Sequence, residues 1–227
     1  MTMFNTLNRD VVLARYQKAL DRGLCMGVGT PNGQMCIEAA ICYALDLPHG
    51  DNPTCVAAAV RSYKIRLNDS GYWHSPQSRA NGLRALGIAQ IGSAGVVNDA
   101  EFTRRLASKT IQVLLPALFD NLYPGRWLAE VNACRSAGTA KNARALAAAA
   151  YAYATAAAAA AAYATAAAYA AAYATAAAYA AAAAYAAARR KGSDPEQYLR
   201  MSASLALEVL KELNSPGIKW LDALDNT

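Results

Sequence analysis

Between residues 34 and 55 the chain gathers Gln34, Cys36, Glu38, Cys42, His49, Asp51 and Cys55, residue types that together can do nucleophilic chemistry. Cys36 follows a break rich in Gly27, Gly29, Pro31 and Gly33 and falls in the first turn of a run with helical composition. There the positive end of the helix dipole and free backbone N–H groups lower a thiol pKa and favour the thiolate. His49 would serve as base with Asp51 orienting it, and Gln34 would donate to an oxyanion, which describes a cysteine-dependent hydrolase or transferase. Cysteine is also among the most buried residue types. The sequence therefore favours Cys36 as a buried helix-start thiol, with Cys42 and Cys55 in the core, and keeps the enzyme as the alternative.

The same residues offer a zinc reading through Cys36, His49 and Cys55, with Cys42 as a further ligand. Thiolates and imidazole are suitable ligands, but the tight Cys-x2–4-Cys pair that normally nucleates a structural site is absent, so neither metal nor cofactor is expected. His49 also reads as a turn residue before the next helix. No phosphate-binding loop, dinucleotide fingerprint, H-E-x-x-H or G-x-S-x-G motif occurs.

The elements that would position these groups read as helices. Residues 10–24 carry Val12, Tyr16, Ala19 and Leu20 at helical spacing, and residues 34–47 form the next helix, stopped by Pro48. Asp51-Asn52-Pro53 resembles a cap with proline in the first turn, followed by Val56, Ala59, Val60, Tyr63 and Leu67 on one stripe, with Arg61, Lys64 and Arg66 on a solvated flank. Ser75-Pro76 opens a helix through Leu83, Leu86 and Ile91, and Asn98 with Glu101 starts another that Pro116 should kink or end. Tyr123-Pro124-Gly125 closes the region, and Ser193-Asp194-Pro195-Glu196 starts a last helix. No segment alternates with the two-residue period of a strand. The expected fold is all-α: an N-terminal multi-helix domain over residues 1–125, a connecting helix and an Ala/Tyr/Thr-rich helical segment over 126–192, and a C-terminal helix over 193–227 that packs back.

Residues 147–188 contain only 32 Ala, 7 Tyr and 3 Thr. Alanine's propensity makes this a long helix or a helical hairpin, ended by Arg189-Arg190-Lys191-Gly192, a cationic carboxyl end that suits the dipole. Tyr-Ala-Thr recurs at Tyr153, Tyr163 and Tyr173. A ten-residue repeat falls about 80° short of three helical turns, so the tyrosines walk around the helix. The segment is uncharged for long enough to span a bilayer, but its tyrosines are spread through it and not gathered in two belts, which disfavours a membrane. Methyl-sized side chains with Tyr163, Tyr169, Tyr173 and Tyr179 as anchors suit helix–helix packing.

The segments Cys36-Ile37-Glu38-Ala39-Ala40, Cys42-Tyr43-Ala44-Leu45, Leu47-Pro48-His49-Gly50-Asp51, Pro53, Cys55-Val56 and Lys64-Ile65-Arg66-Leu67-Asn68-Asp69 resemble those of a family of uncharacterised bacterial proteins. The resemblance runs through about Pro116 and implies an N-terminal helical region with an Ala-rich tail and no established activity. The Ala-Tyr segment is also similar in composition to helical repeats of some bacterial immunity proteins.

All 22 Lys and Arg and all 16 Asp and Glu lie outside residues 147–188, and the net charge of +6 is dispersed, not collected in an arm. Arg61, Lys64, Arg66, Arg79, Arg84, Arg104, Arg105 and Lys109 could still align as one basic patch, which leaves nucleic-acid binding as a further, disfavoured alternative. Five cysteines, an odd number, and an N-terminus without an apolar targeting run point to a reducing, cytoplasmic setting. The leading expectation is a helical interaction or assembly protein, of a bacterial or phage conflict system, that binds itself or another protein through the Ala-Tyr helix.

Overall fold

A computed structural model describes residues 8–154 and 192–226. The fold is all-α: among the described residues there are helices, two isolated β-bridges and no strand. The Arg189-Arg190-Lys191 helix end, the four anchor tyrosines and the expected long helix beyond Ala154 lie outside the described residues.

The chain divides into two compact units. One comprises Met1–Phe102 with Ala206–Thr227, the other Thr103–Leu205. In the first, α1 (Arg9–Leu20), α2 (Ile37–Ala44), α3 (Ala58–Asn68) and α4 (Pro76–Ala89) pack together, and a 3₁₀ segment (Pro216–Asn226) lies along α4. Leu13, Tyr16 and Leu20 of α1 meet a core completed by Ile37, Ile41, Val60, Leu67, Leu83 and Leu86, all buried. Burial of each large apolar side chain contributes about 1.5–3 kcal/mol. Tyr16 donates to the Arg84 carbonyl at 3.0 Å. A Cβ at Gly87 would overlap its hydroxyl, so glycine lets α4 close over the ring.

Capping chemistry sets most starts. Asn8 caps α1 through the Val11 N–H, and Ser75 with Ser78 forms a reciprocal capping box at α4, with Pro76 in its first turn. The helix read as beginning at Asp51-Asn52-Pro53 begins instead at Ala58, and its N-cap Ala57 supplies no side-chain bond. The Ala57 N–H donates to Ser93 Oγ at 2.9 Å, and the Ala59 N–H to Asp99 Oδ1 at 2.9 Å. Capping groups from distant parts of the sequence thus replace the local one.

In the second unit, α5 (Asp99–Lys109, of which the residues from Thr103 on belong here) runs into a π-helical turn (Thr110–Leu114) and then α6 (Leu115–Leu122). Pro116 has no N–H to donate and crowds the preceding turn, and the helix accommodates it by widening one turn and continuing. Next come α7 (Leu128–Ser136), α8 (Ala140–Ala154) and the first residues of α9 (Glu196–Glu212). Trp127 meets Phe119 and Tyr123 edge-on, those two rings are tilted against each other, and Asn121 donates to the Tyr198 hydroxyl at 2.8 Å. Among the described residues, no helix is long and apolar enough to cross a membrane.

Candidate functional site

The N-terminal polar cluster is organised around an ion pair that the sequence reading did not contain. Lys64, expected on a solvated flank, is fully buried, with Nζ 3.2 Å from Glu38 Oε1, and both side chains have no exposure. Gln90, which follows the last residue of α4, donates from Nε2 to Glu38 Oε2 at 2.9 Å. The three side chains therefore tie α2, α3 and the carboxyl end of α4 to one point. Burial pushes the Glu38 carboxyl above its ordinary range while Lys64 pulls it back, and burial pushes the Lys64 ammonium down while Glu38 pulls it up. Proximity of the two groups thus opposes the cost of dehydrating them.

The error over Lys64 has a definite source. It stands four residues after Val60 and three before Leu67, on the stripe that α3 buries, so its position marked it as inward while its residue type suggested the opposite. Nothing local marks Gln90, whose partner lies 52 residues away.

Cys36 is the N-cap of α2, and its sulfur accepts from the Ala39 N–H at 3.3 Å. The helix-start position was expected to lower its pKa. Burial outweighs the Ala39 and Glu38 N–H groups and the nearby Lys64 charge, and pushes the thiol up to about 11, aided by the Glu38 carboxylate. The thiol is 4% exposed. Near neutral pH it is protonated and serves as a cap, the opposite of an activated nucleophile.

Two of the partners assigned to Cys36, Gln34 and His49, are engaged elsewhere. Gln34 donates to the Arg22 carbonyl at 3.0 Å, and the exposed His49 ring places Nε2 3.3 Å from the Gly29 carbonyl. Asp51 is exposed but does share a recess with Cys36, lined also by Gly27, Glu38, Asn68 and Asp69. That recess has a volume of about 20 Å³, room for a water molecule and little more. Cys42 is buried, whereas Cys55 is partly exposed, and burial pushes both thiols up. Among the described residues no group of three or more His, Cys, Asp or Glu is placed to hold a metal ion, so Cys36, His49 and Cys55 do not converge on one.

The loop before Cys36 is fixed by buried polar side chains. Asn68 accepts from the Ile37 N–H at 3.2 Å and donates to the Cys25 carbonyl at 2.8 Å, and Arg79 donates to the Leu24 carbonyl at 2.7 Å. Gly29 has φ +72°, and a Cβ there would overlap the Gln34 carbonyl oxygen. Of the eight basic residues considered as one patch, Lys64 is sealed against Glu38, Arg79 is held by Leu24, and Arg84 donates to the Leu224 carbonyl at 2.6 Å. Lys64 and Arg79 are buried, and Arg84 is half-buried. Compared with protein-family models, curated proteins and solved structures, the chain matches none.

Proposed function

We propose that the chain is a helical interaction or assembly protein, non-enzymatic, that binds itself or another protein through the Ala/Tyr/Thr-rich segment 147–188. The reading rests on how the N-terminal polar groups are used. Cys36 is a buried cap with a raised pKa, and the recess that reaches it has the volume of a water molecule. Catalysis needs a nucleophile with a substrate atom beside it, and a buried, protonated thiol beside a small recess is poorly suited to that role.

Residues 147–188 carry no group that titrates near neutral pH, and their small side chains with spaced tyrosines suit close helix packing. The internal use of Lys64, Arg79 and Arg84 supports a protein partner over nucleic acid. Five free cysteines support a reducing, cytoplasmic setting. Light scattering of the full chain over a hundredfold range of concentration tests the self-binding form: mass rising with concentration supports it, and a monomer throughout removes it.

A further inference from the structure

We infer that the 3₁₀ segment Pro216–Asn226, with Ser215 before it, is a latch that holds the buried Glu38–Lys64–Gln90 centre closed from the far end of the sequence. A helix leaves its last carbonyls without intrahelical donors, and buried carbonyls must find others. Here two donors come from the latch. Ser215 Oγ donates to the Ala89 carbonyl at 2.5 Å, and the Gly217 N–H donates to the Ile91 carbonyl at 2.9 Å.

Those two carbonyls flank Gln90, whose side chain is fully buried and donates to Glu38. The latch thus fixes the backbone on both sides of the residue that completes the ion-pair centre. Gly217 packs so close to α4 that a Cβ would overlap the Ile88 carbonyl oxygen, while Trp220 and Leu224 are buried further along and Arg84 binds the Leu224 carbonyl. The contact is directed at backbone atoms at Ser215 and Gly217, and it belongs to one compact unit although about 125 residues separate its halves.

Docked, the latch keeps Gln90 against Glu38. Released, it leaves the Ala89 and Ile91 carbonyls without these donors and frees Gln90, so the restraint on α2 and α3 weakens through α4. A molecule competing for the latch would act on the Cys36–Glu38 region through α4. This goes beyond the proposed binding role of residues 147–188 and holds or fails independently of it.

The test is hydrogen exchange of the Gln90 side-chain amide, followed by ¹⁵N NMR in the full chain and assigned by its loss in Gln90→Met. Ser215→Ala removes one hydrogen bond and Gly217→Ala prevents close approach. Trp73→Phe, which loses the 2.8 Å bond to the Leu67 carbonyl, is the control for general loosening. In Ser215→Ala the Gln90 amide should exchange at least about fivefold faster relative to the Leu13 backbone amide of α1, the scale of one lost hydrogen bond. In Trp73→Phe the ratio should stay at the parent value. Coupling is reciprocal, so Gln90→Met should make Trp220 easier to quench with acrylamide. A Gln90-to-Leu13 ratio unchanged in Ser215→Ala, or Trp220 quenching unchanged in Gln90→Met, would overturn the latch.

Discussion

Replacing Lys64 by methionine keeps most of the aliphatic stem and removes the charge that faces Glu38. In the parent the two groups are 3.2 Å apart with no exposed side-chain surface, and Glu38 retains Gln90 on its other oxygen. Removing one partner of a fully buried pair leaves the other charge uncompensated and costs about 3–5 kcal/mol, a loss of roughly a hundredfold or more in the folding equilibrium. Glu38→Leu with Lys64→Met removes both charges. It leaves the Gln90 amide without its acceptor, at about 1–3 kcal/mol, against about 1–4 kcal/mol recovered from dehydration, so the double variant should lie near the parent.

The single variant also has a pH signature. Burial already holds the Glu38 carboxyl above its ordinary range, and Lys64 is the strongest influence lowering it. Without Lys64 the folded-state pKa climbs further above the unfolded value of about 4.3. A carboxyl raised on folding contributes stability that is complete below the unfolded pKa and is lost as pH rises through the folded one. Lys64→Met should therefore approach the parent near pH 4 and fall away from it toward pH 8. Trp73 and Trp220 lie in the unit that holds the pair and Trp127 in the other, so urea unfolding followed by fluorescence in a Trp127→Phe background reports on that unit. A Lys64→Met loss below about 1 kcal/mol at pH 7, or one that does not grow with pH, would refute the buried pair.

Iodoacetamide near neutral pH should modify the partly exposed Cys25 well before Cys36, Cys42 and Cys134, which are buried and whose thiols sit at about 11; mass mapping that finds Cys36 first would restore the nucleophile reading. Gly29→Ala meets both a positive φ and the Gln34 carbonyl oxygen, and should lower the stability of its unit by about 3 kcal/mol in a urea titration. Ser75→Ala breaks one arm of the α4 capping box and should cost about 1 kcal/mol in the same assay.

Local signals were legible and distant ones were not. Ser75-Pro76, Asn98 and Ser193-Asp194-Pro195-Glu196 all lie at observed helix starts, where the Asn98 side chain accepts from the Glu101 N–H and Asp194 from the Glu196 N–H. These are interactions within four residues, and residue type with spacing encodes them. The start of α3 was misread because its donors are met by Ser93 and Asp99, more than thirty residues away. Pro116 was expected to kink or end its helix; the helix does not end there, and packing of α6 and α7 around a π turn carries it through.

The site divides along the same line. Cys36 at a buried helix start was legible, whereas its place as the N-cap was not, since the helix was expected to begin at Gln34 and begins at Ile37. The sign of its pKa was not, since that depends on burial by elements remote in sequence. Lys64 was legible by position and misassigned by type. The 3₁₀ segment that completes the N-terminal unit was missed, because 3₁₀ structure has weak periodic signals and its donors to Ala89 and Ile91 act across about 125 residues.

The proposed binding role of residues 147–188 depends on their tyrosines. Replacing Tyr163, Tyr169, Tyr173 and Tyr179 together by alanine keeps the whole chain, including the C-terminal latch, and preserves alanine's helix propensity. Light scattering and circular dichroism of this variant beside the parent make the decisive comparison. A lower mass or a changed hydrodynamic radius with helicity nearly unchanged is expected, because the tyrosines are lost and the helix formers remain. The same mass and the same radius in both proteins would contradict it.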